Sequence, residues 1–394
     1  MNRALIIPLS DPVFVEDMYF TSIEGLSFIQ RLCWLSKKAG YADSVVIYPD
    51  HPVDIKKILN RAPGQIFQTL EKASPRPDST FVFLRKDIFP TVDFLKKIPE
   101  PQKTDTLYLM EESSPVMVIK VSDVAKLSEI LRNRSNRVSL QDTLNKGYPA
   151  FVFNLYNVDY HNVTNHDDVS HVEKRLYLGL IKVTDSFISR HVHRKISQAI
   201  TRRLITTSIT PNQMSLISIG VGLGGGYFLS FPNNSLQAFG SVLFLLHSIL
   251  DGCDGELARL KYMESRWGGL LDYWGDNIVH SAVFFGIGLA WKEATGLRIA
   301  LWCSGFAIAG GLLSAGLVYS MTMKSKKNEG PLYTSVSSKA IKSRAEKIAD
   351  YLSRRDFIYL VLILAIFGKV HWFLILAALG APLFFLFVLR SNLK

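Results

Sequence analysis

The chain has 394 residues, of which 48% are hydrophobic, and it carries a formal net charge of +11 at pH 7. This length suggests two or three domains. The basic residues cluster beside long apolar segments, in residues 182–203 and 324–355. That placement favours a membrane surface or anionic small substrates as partners, so we expect no nucleic acid to bind. The cysteines, Cys33, Cys253 and Cys303, have no metal-binding spacing and do not suggest a disulfide framework, so the N-terminal half is expected to face a reducing cytoplasm.

Residues 1–165 alternate short apolar segments with helical ones. ALIIPLS reads as a strand, a helical segment ends at Gly40, SVVIYP follows, and a polar helix at 53–60 precedes the strand FVFLR. The alternation continues through TLYLM, VMVIKV and a helix near 122–133. Strands that alternate with helices predict a soluble α/β domain with a largely parallel sheet.

Residues 166–208 are predicted to be a linker that contains a basic amphipathic helix. The stretch from 166 to about 205 has helical periodicity with no proline or turn cluster. Its second half combines six apolar with five basic residues: Phe187, Ile188, Val192, Ile196, Ile200 and Leu204 with Arg190, Arg194, Lys195, Arg202 and Arg203. Such a helix is typical of the lipid headgroup region. The alternative is a helix packed on the soluble domain, and both can hold for different faces.

Residues 209–394 are predicted to form an all-α polytopic membrane domain. Apolar segments lie near 212–231, 236–258, 268–291, 297–323, 356–369 and 371–390. Since a helix needs roughly 20 residues to cross a bilayer, about six spans are expected, of which the fifth is short. Lys and Arg are concentrated in alternate connections. This pattern predicts that both termini, and the connection after the second span, lie on the cytoplasmic side. The expected location is the inner (cytoplasmic) cell membrane.

Four aspartates flank the connection between the second and third predicted spans. Asp251 and Asp254 are three residues apart and share one helix face, and Asp272 and Asp276 are four apart and share another. The short connection predicts antiparallel neighbouring helices, on which the four carboxylates converge and repel unless cations intervene. Carboxylate oxygens suit Mg²⁺ or Mn²⁺, so the pattern predicts a two-metal site. The alternative is that these aspartates cap helices or pair with nearby Lys and Arg.

The residues between the aspartates suit a nucleotide. Gly255, Ala258 and Gly268 lack bulk, so a base or a phosphate could approach the helix backbone closely. Arg259 could bind a phosphate through two parallel hydrogen bonds.

The pattern Asp251-x-x-Asp254-Gly255-x-x-Ala258-Arg259, followed after eight residues by Gly268-x-x-x-Asp272-x-x-x-Asp276, resembles the complete signature of the CDP-alcohol phosphotransferases. The resemblance runs from roughly residue 170 to the C-terminus and includes Thr210-Pro211-Asn212 before the first span. It implies an enzyme that transfers a substituted phosphate group from a CDP-alcohol, such as CDP-diacylglycerol or CDP-inositol, to an alcohol acceptor with release of CMP.

By this resemblance the metal ligands would be Asp251, Asp254, Asp272 and Asp276. Asp276 would also be catalytic, as the general base on the acceptor hydroxyl. The nucleotide would contact Asn212, Asp254, Gly255, Ala258, Arg259 and Gly268. The implied cofactor is Mg²⁺ or Mn²⁺, and the implied partners are the lipid bilayer, the CDP-alcohol donor and an alcohol or alcohol-phosphate acceptor.

The N-terminal half resembles the nucleotidyltransferases that make CDP- or NDP-linked sugars and polyols, through its opening strand, GLSFIQRL and AGYADSVVIY. Fusion of such a domain to the membrane half resembles the layout of di-inositol-phosphate phosphate synthases. Ser10-Asp11-Pro12-Val13-Phe14 replaces the glycine-rich, Arg-containing phosphate loop, so an inactive, degenerate relative is expected. Asp87 could correspond to that family's metal ligand, although a single Asp after a strand is more often a turn residue. The alternative is a bifunctional enzyme whose N-terminal domain makes the CDP-alcohol.

Three further features carry weaker hypotheses. Arg355, before the fifth span, is a candidate for binding the acceptor phosphate, with ordinary membrane anchoring as the alternative. Gly222 through Gly226 offer a small-residue face for packing within the bundle or across a homodimer. His247, one turn before Asp251, is given no role. Two other function classes stay open: a transporter that uses the same carboxylates, and a catalytically dead scaffold.

Overall fold

The structure is a computed structural model of the chain. It describes residues 3–8, 21–41, 43–47, 79–85, 87–110, 116–132, 140–153, 159–163, 166–181, 185–186, 188–322 and 357–392. The chain divides into two compact units, Met1–Leu176 and Tyr177–Lys394. The first is an α/β unit and the second is helical.

The first unit alternates strands and helices as its sequence predicts. Its described strands are β1 (Arg3–Pro8), β2 (Ser22–Ile23), β3 (Leu26–Ser27), β4 (Asp43–Ile47), β5 (Thr80–Leu84), β6 (Ile88–Pro90), β7 (Thr106–Met110), β8 (Val116–Lys120), β9 (Ala150–Phe153) and β10 (Tyr160–Asn162). Its described helices are α1 (Phe28–Lys38), α2 (Val92–Lys97), α3 (Val124–Arg132), α4 (Leu140–Gly147) and α5 (His166–Leu178), the last of which ends in the second unit. The polar helix predicted at 53–60 lies outside the described residues.

Six of these strands form one sheet in the order β4-β1-β5-β8-β7-β9. Five strands run in the same direction, and β8 is antiparallel to both of its neighbours, β5 and β7. In the register, Leu5 of β1 lies opposite Ser44 on one side and Val82 on the other. Every residue of β5 is buried, which explains its continuous apolar sequence, because a central strand is covered on both faces. The predicted sheet is therefore largely parallel, with β8 as the exception.

The linker is not one continuous helix, contrary to the prediction. Helix α5 ends at Leu178, a π-helical turn covers Ser189–His193, and helix α6 covers Arg194–Leu204. The backbone N–H groups of Leu180 and Ile181 donate to the carbonyls of Tyr177 and Leu178, forming tight turns where the helix ends. Gly179 lies in these turns, and glycine is a poor helix former.

The second unit continues with helices at the six predicted apolar segments. They are α7 (Pro211–Leu229), α8 (Asn234–Leu260), α9 (Arg266–Thr295), α10 (Ile299–Thr322), α11 (Phe357–Ile366) and α12 (Val370–Asn392). Three of the starts are capped by side chains, since Thr210, Asn233 and Ser265 each accept hydrogen bonds from backbone N–H groups in the first turn. At α7 the cap is reciprocal, because Gln213 also accepts from the Thr210 N–H.

Helix α7 packs against both α8 and α9, while α10 packs against α12. Small residues permit the close approach of α7 and α9. A methyl group on Gly286 would come within 2.3 Å of the Gly226 carbonyl oxygen, and one on Gly226 would come within 3.0 Å of the Ala282 backbone. The predicted small-residue face on α7 is therefore used for packing inside this unit.

Three helices are long and apolar enough to cross a membrane: α8, α10 over Ile299–Ser320, and α12 over Val370–Arg390. Helix α11 is a shorter apolar helix. Of the other two, α9 carries Asp272 and Asp276, and α7 is rich in glycine. The predicted helices are thus present, but length and apolar composition support membrane crossing for three of them among the described residues.

Candidate metal and nucleotide site

The four predicted ligands lie on α8 and α9, which are joined by residues 261–265. The connection turns at Tyr262, whose φ of 54° lies in the left-handed region. Lys261 Nζ anchors it by donating to the carbonyls of Thr207 and Ile209 at 2.9 and 3.0 Å. Helices α8 and α9 each pack along α7 rather than extensively along each other. Their acidic side chains meet beside the first turns of α7.

Three of the four carboxylates converge. Asp251, Asp254 and Asp272 each offer an oxygen, and these oxygens all lie within 4.8 Å of one another. Asp251 and Asp254 are buried, and Asp272 is partly buried. Three carboxylates this close repel one another strongly in a poorly solvated site, and a divalent cation removes that repulsion. The donor set of hard oxygens therefore fits Mg²⁺ or Mn²⁺.

Helix α7 orients this cluster through Ser215, which the sequence reasoning missed. The Ser215 hydroxyl donates to Asp254 Oδ2. Hydrogen bonds from neighbouring groups fix the direction in which a metal-binding carboxylate points. No local sequence signal identifies Ser215, because it is separated from Asp254 by 39 residues and only the packing of α7 on α8 brings the two together.

Asp276 lies one turn beyond Asp272, outside the group of three, and its carboxylate faces His247. The His247 ring is buried, its Nδ1 lies 2.9 Å from the Ser218 carbonyl oxygen, and its Nε2 lies 3.4 Å from Asp276 Oδ1. Because a carbonyl can only accept, Nδ1 carries a hydrogen and donates it. The contact orients Nε2 towards Asp276, so His247, to which the sequence reasoning gave no role, belongs to the site. The sequence feature that could have identified His247 is its position one helical turn before Asp251, on the same face of α8.

The predicted nucleotide contacts surround the same region. A methyl group on Gly268 would come within 2.9 Å of Asn212 Oδ1, so Asn212 borders Gly268 as expected. The Arg259 guanidinium lies over Gly255, with Nη1 3.6 Å from where a Cβ would be, and among the described residues its buried Nε has no hydrogen-bond partner. Ala258 is partly buried on the same stretch of α8. An unpartnered buried N–H beside a glycine suits an anionic ligand.

Other predicted positions do not join this cluster. Arg355 and residues 10–14 lie outside the described residues. Arg194, predicted on the basic face of the linker helix, is instead buried and paired with Asp185 and Glu256. Burial acts to lower the pKa of Arg194, but the hydrogen bonds and charges of these two carboxylates outweigh burial and raise it.

Asp87 makes the contacts of a turn residue. Its carboxylate accepts two hydrogen bonds from Arg85, from Nε at 2.5 Å and from Nη2 at 3.0 Å. Its carbonyl oxygen accepts from the Val163 N–H at 2.6 Å. Both arrangements stabilise the local fold of the first unit, and neither brings a second carboxylate to Asp87.

Apolar helices that surround a cluster of three carboxylates define a membrane-associated protein with a candidate metal site. Residues 208–386 match the family model described as CDP-alcohol phosphatidyltransferase. This match confirms the resemblance expected from the spacing of the aspartates.

Curated relatives match the chain in part. The bifunctional IPC transferase and DIPP synthase of Thermococcus kodakarensis is 30% identical over 154 residues, which cover 38% of this chain and 34% of the relative. The archaetidylinositol phosphate synthase of Pyrococcus horikoshii is 31% identical over 101 residues, which cover 25% of this chain and 52% of the relative. The chain thus spans about a third to a half of the length of these relatives.

A solved structure of the Mycobacterium tuberculosis phosphatidylinositol phosphate synthase with CDP-DAG bound is similar over 50% of this chain and 93% of its own. The identity is 16% and the TM-score is 0.38.

Proposed function

We propose that this protein transfers a substituted phosphate group from a CDP-alcohol to an alcohol acceptor and releases CMP. The observation that carries the proposal is the convergence of Asp251, Asp254 and Asp272, whose oxygens lie within 4.8 Å of one another inside a domain of this family. A divalent cation would relieve the repulsion within this cluster, and cations beside a nucleotide site can bind a diphosphate. We propose that the cluster holds Mg²⁺ or Mn²⁺, as two ions when Asp276 also contributes.

In this mechanism each site residue has a distinct task. Asp276 accepts the proton of the acceptor hydroxyl, whose oxygen then forms a bond to phosphorus as the bond between phosphorus and the CMP oxygen breaks. Arg259 binds a phosphate of the donor, while Asn212, Gly255, Ala258 and Gly268 leave room for the nucleotide. Asp251, Asp254 and Asp272 would hold the cations, which would supply positive charge for the diphosphate and the departing CMP.

We infer an inositol-type acceptor or donor from the names of the relatives, two of which are synthases of inositol phosphate lipids. CDP-diacylglycerol and CDP-inositol are both candidate donors, and inositol phosphate and glycerol phosphate are both candidate acceptors. We assign Arg355 to the acceptor phosphate, on the sequence alone.

We infer that all six helices α7 to α12 span the membrane, with both termini and the site on the cytoplasmic side of the cell membrane. Helix α7 has 19 residues, which gives about 28 Å at roughly 1.5 Å per residue, close to the hydrocarbon thickness. Helix α11 has 10 described residues, so its crossing depends on the segment before Phe357. The basic connections on one side support the orientation.

We propose that residues 1–165 are a nucleotidyltransferase-like domain without its own transfer activity, followed by a linker to residue 208. The engagement of Asp87 by Arg85 supports this assignment, because the carboxylate that would bind metal is already neutralised. Incubation of the full chain with CTP and an alcohol phosphate is expected to form no CDP-alcohol. Robust formation would favour a bifunctional enzyme.

The main test is release of CMP from labelled CDP-diacylglycerol or CDP-inositol by the purified full chain with Mg²⁺, across a panel of alcohol acceptors. We expect CMP only when donor, acceptor and divalent cation are all present. Asp276→Asn should reduce turnover by at least about 100-fold, the lower range of general-base contributions, while the protein stays folded. Wild-type turnover in that variant would refute the assignment of Asp276 as the base, and turnover with the metal chelated would refute the proposed metal site.

A further inference from the structure

Glu256 is a fully buried carboxylate on α8 that the proposed reaction does not use. It follows Asp254 by two residues, and residues two apart on a helix point to nearly opposite sides. Its side chain therefore faces away from the aspartate cluster and towards α6, which packs against α8. An ionisable group in this position needs a complete set of partners.

Helix α6 supplies these partners. Glu256 Oε1 accepts from Arg194 Nη1 at 3.0 Å and from Ser197 Oγ at 2.7 Å, and Oε2 accepts from Thr201 Oγ1 at 2.8 Å. The other side of the Arg194 guanidinium binds Asp185, at 2.9 Å from Nε and 3.2 Å from Nη2. We refer to Asp185, Arg194, Ser197, Thr201 and Glu256 as the clasp.

The clasp holds α6 through polar contacts, with part of its apolar surface left outside. Ile196 is exposed, as is Val192 in the preceding π-helical turn, whereas Ser197 and Thr201 are buried against α8. Apolar contacts tolerate sliding, but hydrogen bonds to a single carboxylate fix one register between two helices. The position of α6 along α8 is therefore fixed by directional hydrogen bonds as well as by burial of surface.

The clasp acts on the turn of α8 that carries the metal-site aspartates. The Cys253 thiol, next to Asp254 in sequence, donates to the Ser197 carbonyl at 3.5 Å. The same turn is thus held from one side by α6 through Cys253 and Glu256, and from the other by α7 through Ser215 and Asp254. A carboxylate pair held on both sides is preformed before any ligand arrives.

We propose that Glu256 is a positioning residue, which holds the Asp251–Asp254 turn in register by clasping Arg194, Ser197 and Thr201 of α6. The inference rests on the proposed function, because it assumes that the aspartates bind a divalent cation. It makes helix α6 a structural support of the metal site.

The test is Mn²⁺ affinity, measured from the electron paramagnetic resonance signal of free Mn²⁺ with the purified full chain in detergent. Glu256→Gln keeps the shape of the side chain but removes its charge and one acceptor. Because Glu256 acts on the aspartates through the register of α8 and not by direct contact, we expect an affinity about 10-fold lower, the lower end for groups that orient metal ligands. The matched control is Gln198→Ala on the same helix. It removes the hydrogen bond from Gln198 Nε2 to the Tyr177 carbonyl and spares the clasp, so its affinity should equal that of wild type.

Graded variants keep the test decisive if Glu256→Gln does not fold. Thr201→Val removes one of the three hydrogen bonds to Glu256 and should give an intermediate affinity, whereas Thr201→Ser retains the hydroxyl and should restore the wild-type value. Equal affinities for wild type, Thr201→Val and any folded Glu256→Gln would overturn this inference alone. Failure of the wild-type protein to bind Mn²⁺ would overturn the proposed metal site as well.

Discussion

The two units of the chain each contain a set of aspartates, and the two sets are arranged in opposite ways. In the α/β unit, three aspartates each have a local partner: Asp87 binds Arg85, Asp105 accepts from Ser122, and Asp123 accepts from the first backbone N–H groups of α3. In the helical unit, Asp251, Asp254 and Asp272 bring their oxygens within 4.8 Å of one another. Acids that stabilise a fold are dispersed and paired, whereas acids that converge raise the electrostatic energy unless a cation joins them.

The strongest test of this contrast is removal of one converging carboxylate. Asp254→Asn should lower Mn²⁺ affinity by more than the roughly 10–100-fold that the loss of an outer partner costs, because a direct ligand is lost. CMP release should fall with it. Without metal the same variant should unfold at a higher temperature than wild type, since one repelling charge is gone.

Asp87→Asn is the matched control for that experiment. It removes a carboxylate of the other unit and weakens the contact between Arg85 and residue 87, so it should leave Mn²⁺ affinity unchanged and lower the unfolding temperature slightly. If Asp254→Asn bound Mn²⁺ as tightly as wild type, the contrast between the two sets of aspartates would be wrong, because Asp254 would then only stabilise the fold.

A smaller effect is expected from Ser215→Ala, which leaves all carboxylates in place. Asp254 loses the hydroxyl that fixes its direction, so Mn²⁺ affinity should fall about 10-fold, the lower end for such partners. Ser218→Ala is the control on the same helix. Ser218 Oγ donates to the Ser215 carbonyl at 2.9 Å and to no carboxylate in the described part of the chain, so its loss should leave the affinity unchanged. Equal losses in both variants would point to a general loosening of α7.

Much of the fold follows from sequence because its causes are local. The buried run of β5, the Thr210 cap with Gln213, and Pro211 in the first turn of α7 are visible within a few residues. The break after Leu178 was missed because apolar periodicity continues through Gly179 and outweighed its low helix propensity. The reversed direction of β8 depends on tertiary pairing, which periodicity does not report.

The site divides in the same way. The spacing predicted that four carboxylates meet, and three of them, Asp251, Asp254 and Asp272, bring oxygens within 4.8 Å of one another. Ser215 and the partners of Glu256 were beyond that reasoning, because their contacts join residues 39 or more apart. Arg194 looked like one basic residue among several in an amphipathic pattern, and only the packing of α6 shows that it is paired and buried.

The smallest expected effect tests the dispersed acids. Asp105 lies at a φ of 55°, and its carboxylate accepts from both the hydroxyl and the backbone N–H of Ser122. The hydroxyl hydrogen bond, and then the backbone one, lower the pKa of Asp105 from its ordinary value of 3.8. Since the folded form favours the charged carboxylate, this stabilisation is fully present above pH 3.8 and is lost as the pH falls through the lower folded pKa.

Asp105→Asn should therefore lower the stability of β7 and β8 slightly near neutral pH, where ionised Asp105 stabilises the wild type, and should flatten the loss of stability below pH 3.8, where the two proteins converge. The protein is equilibrated in increasing urea at each pH of the acidic range and then labelled by a short pulse of hydrogen exchange. The measured quantity is the urea concentration at which peptides of these two strands lose their protection. Ser122→Ala should flatten the profile in part, because it removes the main cause of the shift and keeps the carboxylate. Mn²⁺ affinity should be unchanged in both variants, because Asp105 forms hydrogen bonds with Ser122 and is not part of the aspartate cluster of the helical unit. An acid profile identical to wild type would mean that the Ser122 contact contributes nothing to folding.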